Sequence, residues 1–245
     1  MTKSRKISLI AGIFFLLTFI HVLILPLYDD ILNDPDFILG AGDATPVRLG
    51  AVIDLLTGIF GIATGVILFQ VLRRQQLGIA LGYVAARTFE AVMIATGTLC
   101  LLAIVTLRDE IAGGADAATL TTTAQSLVAV RDWTFAFGPG LCSGLGNGAL
   151  LGYLMLRSGL VPRNMALLGV IGGPLSLVGL TFVIFGQWEQ DAPEQFFFTI
   201  GEIAWELSLS VYLIVWGFKA SPITAEIDGE QGPEGMPSPS SATAA

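Results

Sequence analysis

The sequence predicts an all-α, polytopic membrane protein built as a bundle of six transmembrane helices. The first observation is composition, because 53% of the 245 residues are hydrophobic, only 13% are charged and the mean hydropathy is +0.75. Soluble globular domains carry about 25% charged residues, so this chain deviates strongly toward membrane proteins. The second observation is that apolar runs recur at about 20 residues, the length that a helix needs to cross a bilayer.

Six segments meet that length requirement and divide the chain as far as Lys219 into one transmembrane domain. Their predicted ranges are 7–27, 49–72, 77–107, 127–156, 165–186 and 196–218. The first run follows a basic flank, as in a signal peptide. It is longer than the apolar core of such a peptide, and no small-residue cleavage site follows it. We therefore expect a retained first transmembrane helix.

The loops between the predicted helices alternate in charge. Those after the first, third and fifth helices contain YDDILNDPDF, RDEIAGGADA and QWEQDAPEQ, whereas those after the second and fourth contain RRQQ and RSGLVPR. Eight of the twelve Lys and Arg residues lie on one side of a six-helix topology, namely Lys3, Arg5, Lys6, Arg73, Arg74, Arg157, Arg163 and Lys219. The positive-inside rule makes that side cytoplasmic and places both termini inside.

The composition changes after the last predicted helix. Residues 220–245 are rich in Pro, Gly, Ser and acidic residues, so we expect a disordered acidic cytoplasmic tail. The net charge of −8 argues against nucleic acid as a partner. The lipid bilayer is the expected partner, and no oligomer is predicted.

Small residues at four-residue spacing allow membrane helices to approach closely. The longest such run is in the fourth predicted helix and consists of Gly140, Gly144, Gly148 and Gly152. We expect this face to pack within the bundle rather than in a dimer. Pro139 and Pro174 interrupt the fourth and fifth helices, where simple kinks are favoured over unwound backbone that coordinates an ion.

Charged side chains within the predicted helices are the candidate functional residues, since each costs about 2.5–3.5 kcal/mol at a helix centre. Glu206 lies nearly midway between the ends of the sixth helix, and Glu202 lies one turn away on the same face. Neither has a basic residue on its own helix. At least one is therefore expected to be protonated, paired with Arg87 or Arg131, or neutralised by a cation.

Arg87 and Glu90 form a second candidate set at i,i+3 spacing in the third helix. This helix is too long for the sequence to fix the depth of Arg87. The guanidinium is either an interfacial group that extends toward the headgroups, the partner of Glu90, or the counter-charge of Glu206.

The remaining candidates lie toward the outer face. For Arg131 and Asp132 a structural role is favoured, because counting back from the end of their helix places them at the interface. Asp54 lies on a glycine-lined face and can bond Arg131, cap a neighbouring helix or open a polar cavity. His21 is the only histidine, so bis-histidine haem ligation is excluded, and a hydrogen-bonded bundle histidine is favoured over a proton relay.

No motif indicates catalysis or a bound cofactor. The sequence contains no Walker-type or dinucleotide-binding glycine loop, no HExxH, no CxxC and no Ser/His/Asp set in a plausible order. Cys100 and Cys142 have no metal-ligand spacing. We therefore predict no catalytic residue, no metal site and no cofactor, while an intramembrane enzyme remains a distant third hypothesis.

Three parts of the sequence resemble one family. They are the pair Arg87 and Glu90, the stretch YLMLRSGLVPRNMALLG at 153–169, and EIAWELSLSVYLIVWGF at 202–218. The chain resembles bacterial membrane proteins of the domain-of-unknown-function 4386 family over residues 5–219. The resemblance implies a single-domain, six-helix protein of the bacterial cytoplasmic membrane, and it carries no activity or substrate.

Two functional hypotheses follow from the charged residues. The first is proton- or cation-linked binding or transport of a small solute, with Glu206 and Glu202 as the binding carboxylates. The second is a structural or sensory membrane protein whose charges only lock the helices together. A cavity that reaches Glu206 would favour the first hypothesis, and a closed bundle with every acid paired would favour the second.

Overall fold

Helices form nearly all of the structure. The computed structural model describes residues 1–34, 36–40 and 42–229, and this part contains no β-strand. The α-helices, in chain order, are α1 Lys3–Leu17, α2 Ile20–Ile24, α3 Asp29–Asn33, α4 Thr45–Leu72, α5 Leu77–Ala112, α6 Ala117–Phe135, α7 Gly152–Ser158, α8 Arg163–Ile184, α9 Pro193–Val215 and α10 Pro222–Gly229. Short 3-10 turns occupy Leu25–Tyr28 and Phe37–Leu39, and π-helical backbone occupies Ala136–Gly140 and Ser143–Leu151.

Five helical segments are long and apolar enough to cross a membrane. They are Lys3–Asn33, Thr45–Leu72, Leu77–Ala112, Arg163–Ile184 and Pro193–Val215. These segments agree with five of the six predicted helices and are consistent with a membrane protein.

The predicted helix at 127–156 is helical but is not among those five segments. Two π-helical stretches divide it, and Gly, Pro and Asn dilute its apolar residues. Its helical backbone also begins earlier than predicted, at Ala117. The carboxylate of Asp116 caps this end by accepting a hydrogen bond from the backbone N–H of Thr119 at 3.3 Å.

The long helices pack side by side in a closed ring. α1 contacts α4 and α9, α4 contacts α5, and α8 contacts α9. The π-helical stretch Ser143–Leu151 completes the ring by packing between α5 and α8. Arg5 ties the start of α1 to the end of α9, because its guanidinium donates hydrogen bonds to the carbonyls of Leu213 at 2.8 Å and Ile214 at 2.5 Å.

The exposed and buried residues of α4 are distributed as in a membrane protein. Leu55, Ile59 and Val66 are 47%, 59% and 52% exposed, whereas Asp54 and Thr64 are buried inside the ring. An apolar outer surface around a partly polar interior suits helices surrounded by lipid.

The predicted glycine face packs within the chain. A Cβ atom on Gly148 would lie 2.4 Å from the Cα of Gly173 on α8, and one on Gly144 would lie 2.9 Å from the Gly173 carbonyl oxygen. Gly152 meets Gly169 of α8 in the same way. Gly140 is the exception, since a Cβ there would meet only the carbonyl oxygen of Phe135, at 3.9 Å.

The expectation of a disordered tail is wrong for its first residues, where α10 forms. Ile227 is 1% exposed and joins the apolar core, and Ile223 packs beside it. The backbone N–H and the hydroxyl of Ser4 each donate a hydrogen bond of 2.8 Å to the carboxylate of Asp228. Two isoleucines at i,i+4 spacing give this polar stretch one apolar face, which is why it docks.

A second contact holds α10 at the same end of the bundle. Glu226 forms an ion pair with Arg74, which follows α4. The rest of the predicted tail, at 230–245, lies outside the described residues.

Candidate functional site

The π-helical stretch Ser143–Leu151 directs two polar side chains toward α9. Ser143 and Asn147 are one turn apart, and Asn147 is fully buried. The indole N–H of Trp205 on α9 donates a 2.8 Å hydrogen bond to the Asn147 carbonyl oxygen and thereby fixes the two elements against each other. π-Helical turns are common at functional sites because they change which side chains face inward.

Glu206 is the acceptor for both polar side chains. Its Oε1 accepts hydrogen bonds from the Ser143 hydroxyl at 2.8 Å and from the Asn147 amide nitrogen at 2.6 Å. Glu206 is 8% exposed. The carboxylate is therefore oriented by a different segment of the chain from the one that carries it.

Glu202 is more deeply buried and less well satisfied. It is 1% exposed, and neither carboxyl oxygen receives a hydrogen bond from a donor elsewhere in the described chain. Its carboxyl group adjoins that of Glu206. Glycine at 148 leaves room for it, since a Cβ there would lie 2.5 Å from Glu202 Oε2. Two adjoining carboxylates repel in a low dielectric, so this pair requires a proton or a cation.

Arg87 and Glu90 form the predicted pair on α5. The guanidinium Nη1 lies 2.6 Å from Glu90 Oε2, and its Nε donates a 3.3 Å hydrogen bond to the Gly61 carbonyl oxygen. The guanidinium also lies 5.5 Å from the ring centroid of Phe15. Arg87 is 2% exposed, so its guanidinium lies buried within the bundle. No ion pair links it to Glu206 among the described residues, although the two charges are close enough to interact.

Asp54 belongs to a third cluster. His21 Nδ1 lies 2.5 Å from Asp54 Oδ1, and the Tyr28 hydroxyl donates a 2.6 Å hydrogen bond to Asp54 Oδ2. The His21 ring stacks on Phe135 with its centroid 5.2 Å away. Its Nε2 is buried and has no hydrogen-bond partner in the part of the chain described. The aspartate thus orients the imidazole and leaves the other ring nitrogen available.

Arg131 does not bond Asp54, which was one of the interactions expected from the sequence. It contacts Asp132 at 3.2 Å and lies 5.9 Å from the ring centroid of Tyr28. Because Tyr28 occupies the second oxygen of Asp54, the aspartate is already satisfied. The side chain of Asp132 is 41% exposed, and the residue does not line the cavity described below.

One cavity brings five of the eight candidate residues together. It has a volume of about 360 Å³ and lies between α2, α4, α5, α9 and the first π-helical stretch. The candidates that line it are His21, Arg87, Glu90, Glu202 and Glu206. Asp54 and Arg131 line a separate space of about 20 Å³, which is large enough for one water molecule.

The charges around the larger cavity are unequal. Three carboxyl groups face one guanidinium, and the imidazole is already engaged by Asp54. The remaining wall is mostly apolar, and the described residues contain no cluster of three His, Cys, Asp or Glu side chains suited to a metal ion. Such a site can hold a proton or a cationic group in a low dielectric.

Sequence reasoning missed Ser143, Asn147 and Tyr28. The first two are polar residues at i,i+4 spacing within a glycine-rich run, and that spacing was a usable signal. Tyr28 had no such signal, because its contact with Asp54 depends on how two helices meet.

Comparison with known sequences agrees with the resemblance noted from the motifs. No curated protein and no solved structure gave a significant match. The family model described as "Domain of unknown function (DUF4386)" matches residues 10–217. The match includes α4 to α9 and every residue that lines the larger cavity. The chain therefore belongs to the DUF4386 family.

Proposed function

We propose that this protein binds a proton or a small cationic solute at the Glu202–Glu206 pair and links the binding of one to the release of the other. A solute cation that reaches the pair displaces the proton that the two carboxyl groups share. If the cavity opens in turn to each side, the same exchange supports transport.

The observation that carries this proposal is the carboxyl group of Glu202. Glu202 is 1% exposed and is one of the residues that line a cavity of about 360 Å³, and its carboxyl oxygens receive no hydrogen bond from a described residue other than the adjoining Glu206. Buried polar groups in folded proteins are nearly always satisfied. Two adjoining buried carboxyl groups beside a cavity therefore require a proton or a cation.

We also propose six transmembrane helices with both termini in the cytoplasm of a bacterium. The basic residues Arg5 and Arg74 support this orientation, because both lie at the end of the ring that carries α10. The helical but interrupted segment from Ala117 to Ser158 supplies the sixth crossing.

A structural role is the second candidate function. Two contacts between segments favour it: Arg87, which pairs with Glu90 on α5, also donates to the Gly61 carbonyl oxygen of α4, and Asp54 of α4 binds His21 and Tyr28. On this alternative, Glu202 and Glu206 remain protonated and only stabilise the helix packing.

Methylammonium is a suitable probe for distinguishing the two. We expect it to raise the thermal unfolding temperature of the purified protein and to enter proteoliposomes that contain it. Both effects should disappear in Glu206→Gln and Glu202→Gln. Glu194→Gln is the matched control, because Glu194 is exposed in the first turn of the same helix.

One result with the cavity variants would contradict the proposal. If both cavity variants lower stability but leave the response to methylammonium and the uptake equal to those of Glu194→Gln, the carboxyl groups have only a structural role.

A further inference from the structure

The larger cavity reaches the surface of the bundle on one side. Two of its lining residues are large, apolar and exposed: Val22 on α2 is 56% exposed, and Phe196 on α9 is 60% exposed. In a chain whose outer surface is apolar, an opening edged by such residues suits contact with lipid.

The break in the first helical segment produces this opening. α1 ends at Leu17 and packs along α9, whereas α2 packs mainly against α4. The hydroxyl of Thr18 donates a 2.7 Å hydrogen bond to the Phe15 carbonyl oxygen at the break, so the local backbone is compensated. The residues at and after this break, Thr18, Phe19, His21 and Val22, line the cavity on one side, and residues of α9 line it on another.

The walls of the cavity suit an apolar body with one positive end. Phe19, Phe135 and Phe196 supply aromatic faces, and Glu202 and Glu206 lie together elsewhere in its lining. The aromatic part of the wall suits an apolar chain and the two carboxyl groups suit an ammonium group, whereas a bare metal ion needs several oxygen ligands at fixed distances. A volume of about 360 Å³ falls at the low end of small-molecule sites, which span about 300–1,000 Å³.

From these observations we infer that the cavity takes lipophilic amines, which enter from the bilayer between α2 and α9 and place the ammonium group at Glu202 and Glu206. This inference rests on the proposed function and narrows its solute to an organic cation with an apolar chain. His21 also lines this cavity, and its Nε2 has no hydrogen-bond partner among the described residues.

The first test compares n-octylamine, n-octanol and methylammonium as ligands of the full-length protein in lipid nanodiscs. We expect n-octylamine to bind at least about tenfold more tightly than either of the others, because only it combines the apolar chain with the charge. The double variant Glu202→Gln/Glu206→Gln should lose this preference, while Glu194→Gln should keep it.

The second test concerns the route. Val22→Trp narrows the proposed opening, and Val52→Trp is its control, because Val52 is 57% exposed on α4 and does not line the cavity. We expect Val22→Trp to slow the association of n-octylamine by at least about tenfold, with Val52→Trp unchanged from the parent protein.

The possible results separate this inference from the proposed function. If methylammonium binds as tightly as n-octylamine and both need the two glutamates, the lipophilic-amine inference is overturned and the proposed function stands. If n-octanol binds equally well, or if Val22→Trp has no effect on the association rate, the inference is likewise overturned. If no cation binds in a glutamate-dependent way, both proposals are wrong.

Discussion

A single methyl group added at Gly148 should separate two helices and disturb the carboxyl pair. A Cβ at this position would lie 2.4 Å from Gly173 Cα and 3.0 Å from Gly173 N. Ordinary carbon–carbon contacts are about 3.5–4.0 Å, so α8 must move away by about 1 Å. The obstructing atoms are backbone and cannot rotate aside. The same Cβ would also lie 2.5 Å from Glu202 Oε2, so that carboxyl group must move as well.

The expected loss of stability follows from these overlaps. Overpacking of this kind costs about 1–3 kcal/mol, and replacing glycine by alanine within a helix returns about 0.5–1 kcal/mol. Because the two overlaps with Gly173 involve backbone, we expect the overpacking cost of Gly148→Ala to lie at the upper end, with a net loss of about 2 kcal/mol. For a chain of this size, that corresponds to a fall in unfolding temperature of about 4–8 °C.

The assay is thermal unfolding of the purified protein, with Gly140→Ala as the control on the same interrupted helix. A Cβ at Gly140 would meet only one oxygen atom, at 3.9 Å, so this variant should unfold at the parent temperature or slightly above it. Equal unfolding temperatures for Gly148→Ala and Gly140→Ala would refute the close packing on which the position of Glu202 depends.

Three further experiments test the other clusters. Arg87→Met should lower the free energy of unfolding by about 3–5 kcal/mol, because it leaves a buried carboxylate unpaired. The double variant Arg87→Met/Glu90→Leu should recover much of that loss. A double-mutant cycle by thermal unfolding measures this coupling, and additive losses would contradict the coupling. Tyr28→Phe should lower the free energy of unfolding by about 1–3 kcal/mol, since it removes a hydrogen bond to a buried carboxylate. Tyr83→Phe should lower it by less than about 0.5 kcal/mol, since the equally buried Tyr83 hydroxyl has no partner among the described residues. Equal losses in the two variants would contradict this prediction. Burial opposes ionisation of Asp228 on α10, but hydrogen bonds from the backbone and the hydroxyl groups at the start of α1 together outweigh it and lower the pKa of Asp228. The contact that holds α10 should therefore be complete above about pH 5 and weaken as the pH falls below about 3.9, and amide hydrogen exchange of α10 should show this loss in the parent protein but not in Asp228→Asn.

Features that depend on spacing along one helix could be predicted from the sequence. The Arg87–Glu90 pair and the packing of Gly144, Gly148 and Gly152 follow from i,i+3 and i,i+4 geometry, which is fixed once a helix forms. The spans at 49–72 and 77–107 followed in the same way from length and apolarity.

Features that depend on how helices meet could not be predicted. The sequence offered Arg131 as a partner of Asp54, but the packing of neighbouring helices brings Tyr28 and His21 to it. The sequence also did not indicate that Arg87 contacts Gly61 of α4 and Phe15 of α1.

Local departures from regular structure also could not be predicted from the sequence. The π-helical backbone that turns Ser143 and Asn147 toward Glu206 has no reliable sequence pattern, although a glycine-rich run with a proline permits it. The α10 helix could not be predicted, because its segment has the average composition of a disordered region. Ile223 and Ile227 are only two apolar residues in that polar segment.

The central claim is that Glu202 and Glu206 exchange a shared proton for a cation. The most direct measurement is the infrared difference spectrum of the parent protein on addition of methylammonium. We predict a decrease in the carbonyl stretch of protonated carboxyl groups, absent from Glu202→Gln/Glu206→Gln and retained in Glu194→Gln. A spectrum without a carboxyl signal, or one that is unchanged in the double variant, would contradict the claim.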